Sequence, residues 1–249
     1  MENEKLSSKD LALTICFSSL YAIFCFFPIF QIVGLPNKSI TIAAMLAPVI
    51  GMLLGPYLGA LSTILGGIIA FFVGPLSLPG FVSGAVATFF AGSLSLGRRS
   101  LCAFVYFSVL FLFSVYPFVG PVWLFPPLMW FQILGFLILV SPLQSMALKE
   151  MYSESNWRSL SGFFVTSLTS TLAGQIAGSF VYELVSWPIF LADLDAWRMN
   201  WQLITLLYPI ERVAIALGST LIGVATCRIL KFANLVQAIN SAGQKKERS

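Results

Sequence analysis

Apolar residues in this chain come in long runs broken by only short polar stretches, and no water-facing fold can be assembled from such a pattern. The runs cover roughly 11–33, 40–54, 57–73, 78–96, 101–118, 122–148, 160–186 and 203–230. With 58% hydrophobic and 10% charged residues, the chain has too little polar surface to cover a soluble core. An all-α polytopic membrane protein is expected, because helices satisfy their own backbone polar groups in hydrocarbon. A crossing takes about 20 residues, so 40–54 and 57–73 are short for two full spans and the bundle holds six to eight transmembrane helices.

Threading these runs from an inside N-terminus gathers eleven of the fourteen Lys and Arg residues on one face. Lys9, Arg98, Arg99, Lys149 and Arg158 are among them, whereas Lys38 and Arg198 fall outside and Arg212 lies within the last run. Basic residues resist translocation, so both termini are expected in the cytoplasm and the chain in the cell membrane. Residues 1–10 and 231–249 become cytoplasmic tails around one transmembrane domain, 11–230. The opening MENEKLSSKD precedes an apolar run without a small-residue cleavage pattern, so a removable signal peptide is not expected.

The formal charge of +4 is accounted for by this topology and does not imply nucleic acid. The chain contains no His, the commonest metal ligand and the commonest general base near neutral pH. Its four Cys residues lie inside apolar runs and form no CxxC pair, which argues against zinc or a disulfide framework. No GxxxxGK[ST] sequence is present to cradle a nucleotide's phosphates. Neither a metal, a cofactor nor an enzymatic activity is expected.

Gly51, Gly55 and Gly59 recur every four residues, with Pro56 beside the middle one. Residues four apart share a helix face, so this ladder permits close helix packing. In context, LALTICFSSLYAIFCFFPIF, a short turn, and ITIAAMLAPVIGMLLGPYLGALSTILGGIIAFFVG resemble the first half of the substrate-binding S components of energy-coupling factor (ECF) vitamin transporters. The resemblance rests on a first helix with a small-residue face, a short outer loop and a GxxxGPxxG joint. It covers roughly residues 11–95. It implies a substrate-capture subunit that docks on a transmembrane coupling protein served by two ATPases. It also implies a docking face on the first helix, at Ser18 and Ala22 by spacing, with Ser in place of the family's first Ala. S components usually have six helices, and the run 122–148 is additional.

The densest mixture of charge and aromatic surface lies between Tyr182 and Arg212, on the outer side of this threading. Trp187, Trp201 and Tyr208 are expected to supply flat surfaces to a nutrient, and Glu183, Glu211 and Arg212 to orient it, with Asn37 contributing from the first outer loop. An aromatic belt at the headgroup level explains the Trp and Tyr residues equally well. Glu211 and Arg212 point about 100° apart on a helix, so one of them is expected to pair with another helix, Glu183 being a partner for Arg212. Asp193 and Asp195 are expected in a solvated loop, and Gln175 in an interhelical hydrogen bond.

Capture of a small, flat or heterocyclic nutrient from outside is therefore the leading expectation. An accessory subunit packing its small-residue faces against a membrane complex is the alternative. A lipid-modifying enzyme using Glu183, Glu211 or Asp193 lacks an accompanying His or nucleophile motif.

Overall fold

The computed structural model describes residues 8–34, 37–153, 155–190 and 193–232, with side chains omitted at 187–190, 231 and 232. Among the described residues the chain forms nine α-helices, one 3-10 turn and one small β-hairpin. Helix α1 (Ser8–Phe24) leads into strand β1 (Pro28–Gln31), which pairs antiparallel with β2 (Ser39–Thr41) through Pro28↔Thr41, Phe30↔Ile40 and Gln31↔Ser39. The expected first apolar run thus ends in a strand. Pro28 lacks the amide needed to continue a helix, and the Ile and Phe residues after it suit a pleated backbone.

Helix α2 (Ala43–Val73) is broken at Gly55, whose φ of 79° and ψ of −178° belong to a region open only to glycine. Pro56 follows, where a missing N–H is harmless because a new helix is starting. The break reverses the chain: a Cβ on Gly59 would lie 3.1 Å from the Cα of Gly51, whereas eight residues of straight helix span about 12 Å. Helix α3 (Leu78–Ser95) lies against this joint so tightly that a Cβ on Gly51 would meet the carbonyl of Thr88 at 2.0 Å. The spacing of the glycine ladder is therefore spent on a hairpin of helices gripped by a third. Ser77 caps α3, its hydroxyl accepting from the Gly80 amide at 3.2 Å.

Helix α4 (Arg99–Ser114) precedes the additional run, which is not one helix. It divides into α5 (Pro121–Leu124), the 3-10 turn Pro126–Met129, α6 (Trp130–Val140) and α7 (Pro142–Glu150), with a 66° bend between the last two. Pro142 breaks the ladder there, and Arg99 repairs it. Its guanidinium donates to the carbonyls of Leu139 and Ser141, both at 2.8 Å, and to the Ser145 hydroxyl at 2.5 Å.

The long helices α8 (Asn156–Phe190) and α9 (Leu194–Phe232) complete the bundle. By length and composition α2, taken end to end, α3 and α9 are long and apolar enough to cross a membrane, and the bent pair ending in α7 makes a fourth if it counts as one span. Helix α8 has the length, but Thr171, Gln175 and Ser179 dilute its apolar character. Along α9, Leu206, Ile210, Leu217 and Leu221 stay exposed on one face, an apolar surface suited to lipid. Inside, one core gathers α1, both legs of α2 and the far ends of α8 and α9, and a second joins α4, α6, α8 and α9.

Candidate functional site

Between the two cores, at the hairpin end of the bundle, lies a cavity of about 110 Å³. Strands β1 and β2 roof it with Gln31, Ser39 and Thr41, while α3, α8 and α9 wall it. Helix α8 turns one face to it: Thr171, Gln175, Ser179 and Tyr182 recur at intervals of four, four and three. Helix α9 does the same with Trp201, Ile204, Tyr208 and Glu211, and Arg212 reaches in beside them. Each contribution is thus a helical periodicity, brought to a common space by the packing of α3 between α2 and α8.

Glu211 and Arg212 form an ion pair with each other at 3.5 Å, and their side chains are 2% and 7% exposed. That corrects the expectation that adjacent residues diverge and that Glu183 answers Arg212; the long side chains bend toward one another. At 3.5 Å the contact is not a hydrogen bond, and the Nε of Arg212 and Oε2 of Glu211 both lack a hydrogen-bond partner. Oε1 of Gln175 is in the same state, although its amide nitrogen donates to Ser179 Oγ at 3.4 Å. The Ser179 hydroxyl also meets the Tyr208 hydroxyl at 3.4 Å, and the Arg212 guanidinium lies 5.9 Å from the centre of the Tyr208 ring. Unpaired polar atoms buried this deeply are uncommon and costly unless something else satisfies them.

Of the residues expected to bind substrate, Trp201, Tyr208, Glu211 and Arg212 line the cavity together. Glu183 does not: it is fully buried on a neighbouring face of α8, and neither carboxylate oxygen has a hydrogen-bond partner. Asn37 sits exposed at the hairpin turn with a φ of 62°, and the backbone of Trp187 lies in α8 while its side chain is outside the described residues. Trp197 and Trp201 are not belt residues; both are 1% exposed, and both indoles donate to the Val119 carbonyl, at 2.9 and 2.8 Å. Asp193 caps α9 through the Ala196 amide at 2.9 Å, and Asp195 makes an exposed ion pair with Arg198.

The face of α1 carrying Ser18 and Ala22 is used within the chain. Both residues are 7% exposed, and a Cβ on Gly66 of α2 would meet the Ser18 carbonyl at 2.3 Å. Ser62 of α2 reinforces the contact by donating to the Thr14 carbonyl at 3.1 Å. The outward face of α1 instead presents Ala12, Cys16 and Ser19 among the exposed Leu11, Ile15 and Ile23.

Sequence reasoning passed over Tyr21, Thr41 and Asn200 as cavity residues. Nothing local marks the first two, whereas Asn200 precedes Trp201 on the same helix. Comparison with protein-family models, with curated proteins and with solved structures finds no match to this chain.

Proposed function

We propose that the chain is a membrane-embedded capture subunit, which binds a small water-soluble nutrient at the hairpin end of the bundle and delivers it through an energising partner complex. The observation that carries this reading is the cavity itself: a space between two packed cores, roofed by a hairpin and holding unsatisfied donors and acceptors. Such convergence of a few polar groups in an otherwise apolar concavity is the usual form of a small-molecule site.

In the proposed threading, the start of α1 and the end of α9 are cytoplasmic and the hairpin is outside, so that α2 enters and returns as two legs. Counting each leg of α2, this threading has eight segments, two more than the six usual in S components, and the run 122–148 supplies one of them. The resemblance of residues 11–95 to ECF S components supplies the partner class, a transmembrane coupling subunit with two ATPases. Because Ser18 and Ala22 are occupied by α2, docking on α1 would use the outward face, where Ala12, Cys16 and Ser19 leave a shallow track beside the exposed Leu11, Ile15 and Ile23.

The test is retention of a solute. Protein purified in mild detergent should release a small molecule on denaturation, identifiable by mass spectrometry, and Ser179→Leu, which projects bulk into the cavity, should abolish that release while the protein still purifies as a folded, monodisperse species. A protein that carries nothing and is stabilised by no water-soluble metabolite is an accessory subunit instead.

A further inference from the structure

The capture reading leaves the chemical class of the solute open, and the cavity's charge balance narrows it. Among the described residues that line the cavity, Glu211 and Arg212 are the charged ones, and they neutralise each other at 3.5 Å. A carboxylate or phosphate drawn to Arg212 would be held within a few ångströms of the Glu211 carboxylate, where low dielectric makes like-charge repulsion severe. A cation drawn to Glu211 meets the same obstacle from Arg212.

The atoms left unsatisfied point the other way. Arg212 Nε is a donor, while Glu211 Oε2 and Gln175 Oε1 are acceptors, and their residues are 6%, 2% and 4% exposed. One donor and two acceptors from residues lining one cavity are complementary to a group that presents both an acceptor and donors. A cyclic amide or ureide does this on one edge without carrying net charge, and its flat body suits walls such as Leu76 and Ile204.

Resting on the capture reading, the geometry points to a net-neutral heterocyclic ligand of the cyclic amide or ureide class, read by Arg212, Glu211 and Gln175 through hydrogen bonds. Anionic nutrients are excluded by Glu211. The carboxylate is thus a specificity element, and Arg212 in its presence is a hydrogen-bond donor more than a site of net positive charge.

The experiment uses the full chain in detergent and a small-molecule cell extract separated by ion exchange at neutral pH into neutral, anionic and cationic fractions. Thermal stabilisation and solute retention are read for each. The neutral fraction should stabilise wild-type protein, and its retained solute should carry an amide or ureide group. Glu211→Gln, which leaves the cavity positive, should shift preference toward the anionic fraction by about tenfold or more, and Glu211→Gln with Arg212→Gln should return it to the neutral one. If Glu211→Gln does not fold, Gln175→Leu serves: it should weaken binding of the neutral solute by about tenfold without changing the ranking of the fractions. Preference of wild-type protein for the anionic or cationic fraction overturns the neutral-ligand assignment while leaving capture standing. Silence of all three fractions removes the capture reading, and this inference with it.

Discussion

The ammonium of Lys38 donates to the carbonyl of Gly74 at 2.6 Å, tying the β-hairpin to the turn between α2 and α3. Gly74 caps α2 in the left-handed conformation, with a φ of 108°, so the carbonyl that Lys38 holds is presented by a fixed turn. Lys38→Met removes the tie without touching the cavity. Bound solute is expected to dissociate about threefold faster, the scale of a partly exposed charge-assisted bond, with the melting temperature of the free protein unchanged. Stopped-flow dissociation against a competing excess of the same solute measures it.

Gly55 and Gly51 separate two kinds of strain. Nothing lies within 4 Å of a Cβ placed on Gly55, so Gly55→Ala tests backbone conformation alone and should destabilise by about 1–3 kcal/mol. Gly51→Ala keeps a helical backbone but drives a methyl into Thr88, and should cost at least as much, about 1–3 kcal/mol or more. Thermal unfolding in one detergent checks both. Equal stability of Gly55→Ala and wild type would show that the helical hairpin does not need its reversed joint.

How far the fold was legible follows from these same positions. The GxxxGPxxG spacing marks a joint in sequence, yet whether it bends or reverses depends on α3 lying across it, which no local pattern encodes. The run 122–148 looks like one span because hydropathy averages over Pro126, Pro127 and Pro142; the repair by Arg99 comes from a helix more than forty residues earlier. In the site, Glu211 and Arg212 stand out as charges inside an apolar run, and Trp201 and Tyr208 share their helix. Tyr21 and Thr41 arrive from distant elements and carry no such mark. Glu183 has the same sequence signature as Glu211, and a rotation of one helical step decides that it misses the cavity.

Arg99 is the structural keystone of the bent α6–α7 pair. Arg99→Met strands two carbonyls and should lower stability by about 1.5–3 kcal/mol. Arg99→Lys should recover little, since an ammonium cannot present the guanidinium's divergent donors to three acceptors. Comparable melting temperatures for Arg99→Lys and wild type would show that charge alone suffices.

Substitutions on the two faces of α1 should part company. Ser18→Leu forces α1 away from Gly66 and is expected to reduce folded yield. Ala12→Leu, on the exposed face, should leave folding and solute binding intact and reduce uptake in cells several-fold by blocking close helix approach. Uptake unchanged by Ala12→Leu would remove α1 from the docking surface.

Orientation is checked with single cysteines in a background where the four native ones are replaced. Asn37→Cys, on the exposed hairpin turn, should react with an impermeant maleimide in intact cells, and Ser100→Cys, exposed at the opposite end, should react only after permeabilisation. The reverse pattern inverts the proposed threading.

The reversal at Gly55 also bears on the bilayer. From Ala43 to Leu54 the chain descends about 18 Å, well short of a hydrocarbon layer of about 30 Å. In the proposed threading the joint therefore stops short of the cytoplasmic headgroups, and the Tyr152 hydroxyl reaches it by donating to the Met52 carbonyl at 2.9 Å. Protein, not lipid, covers that corner: Met52, Leu53, Gly55 and Pro56 are all buried, as is Thr88 across from Gly51. A leg too short to cross alone is thereby kept inside protein, where its free backbone groups are met by neighbouring helices and bilayer thickness has no direct hold on it.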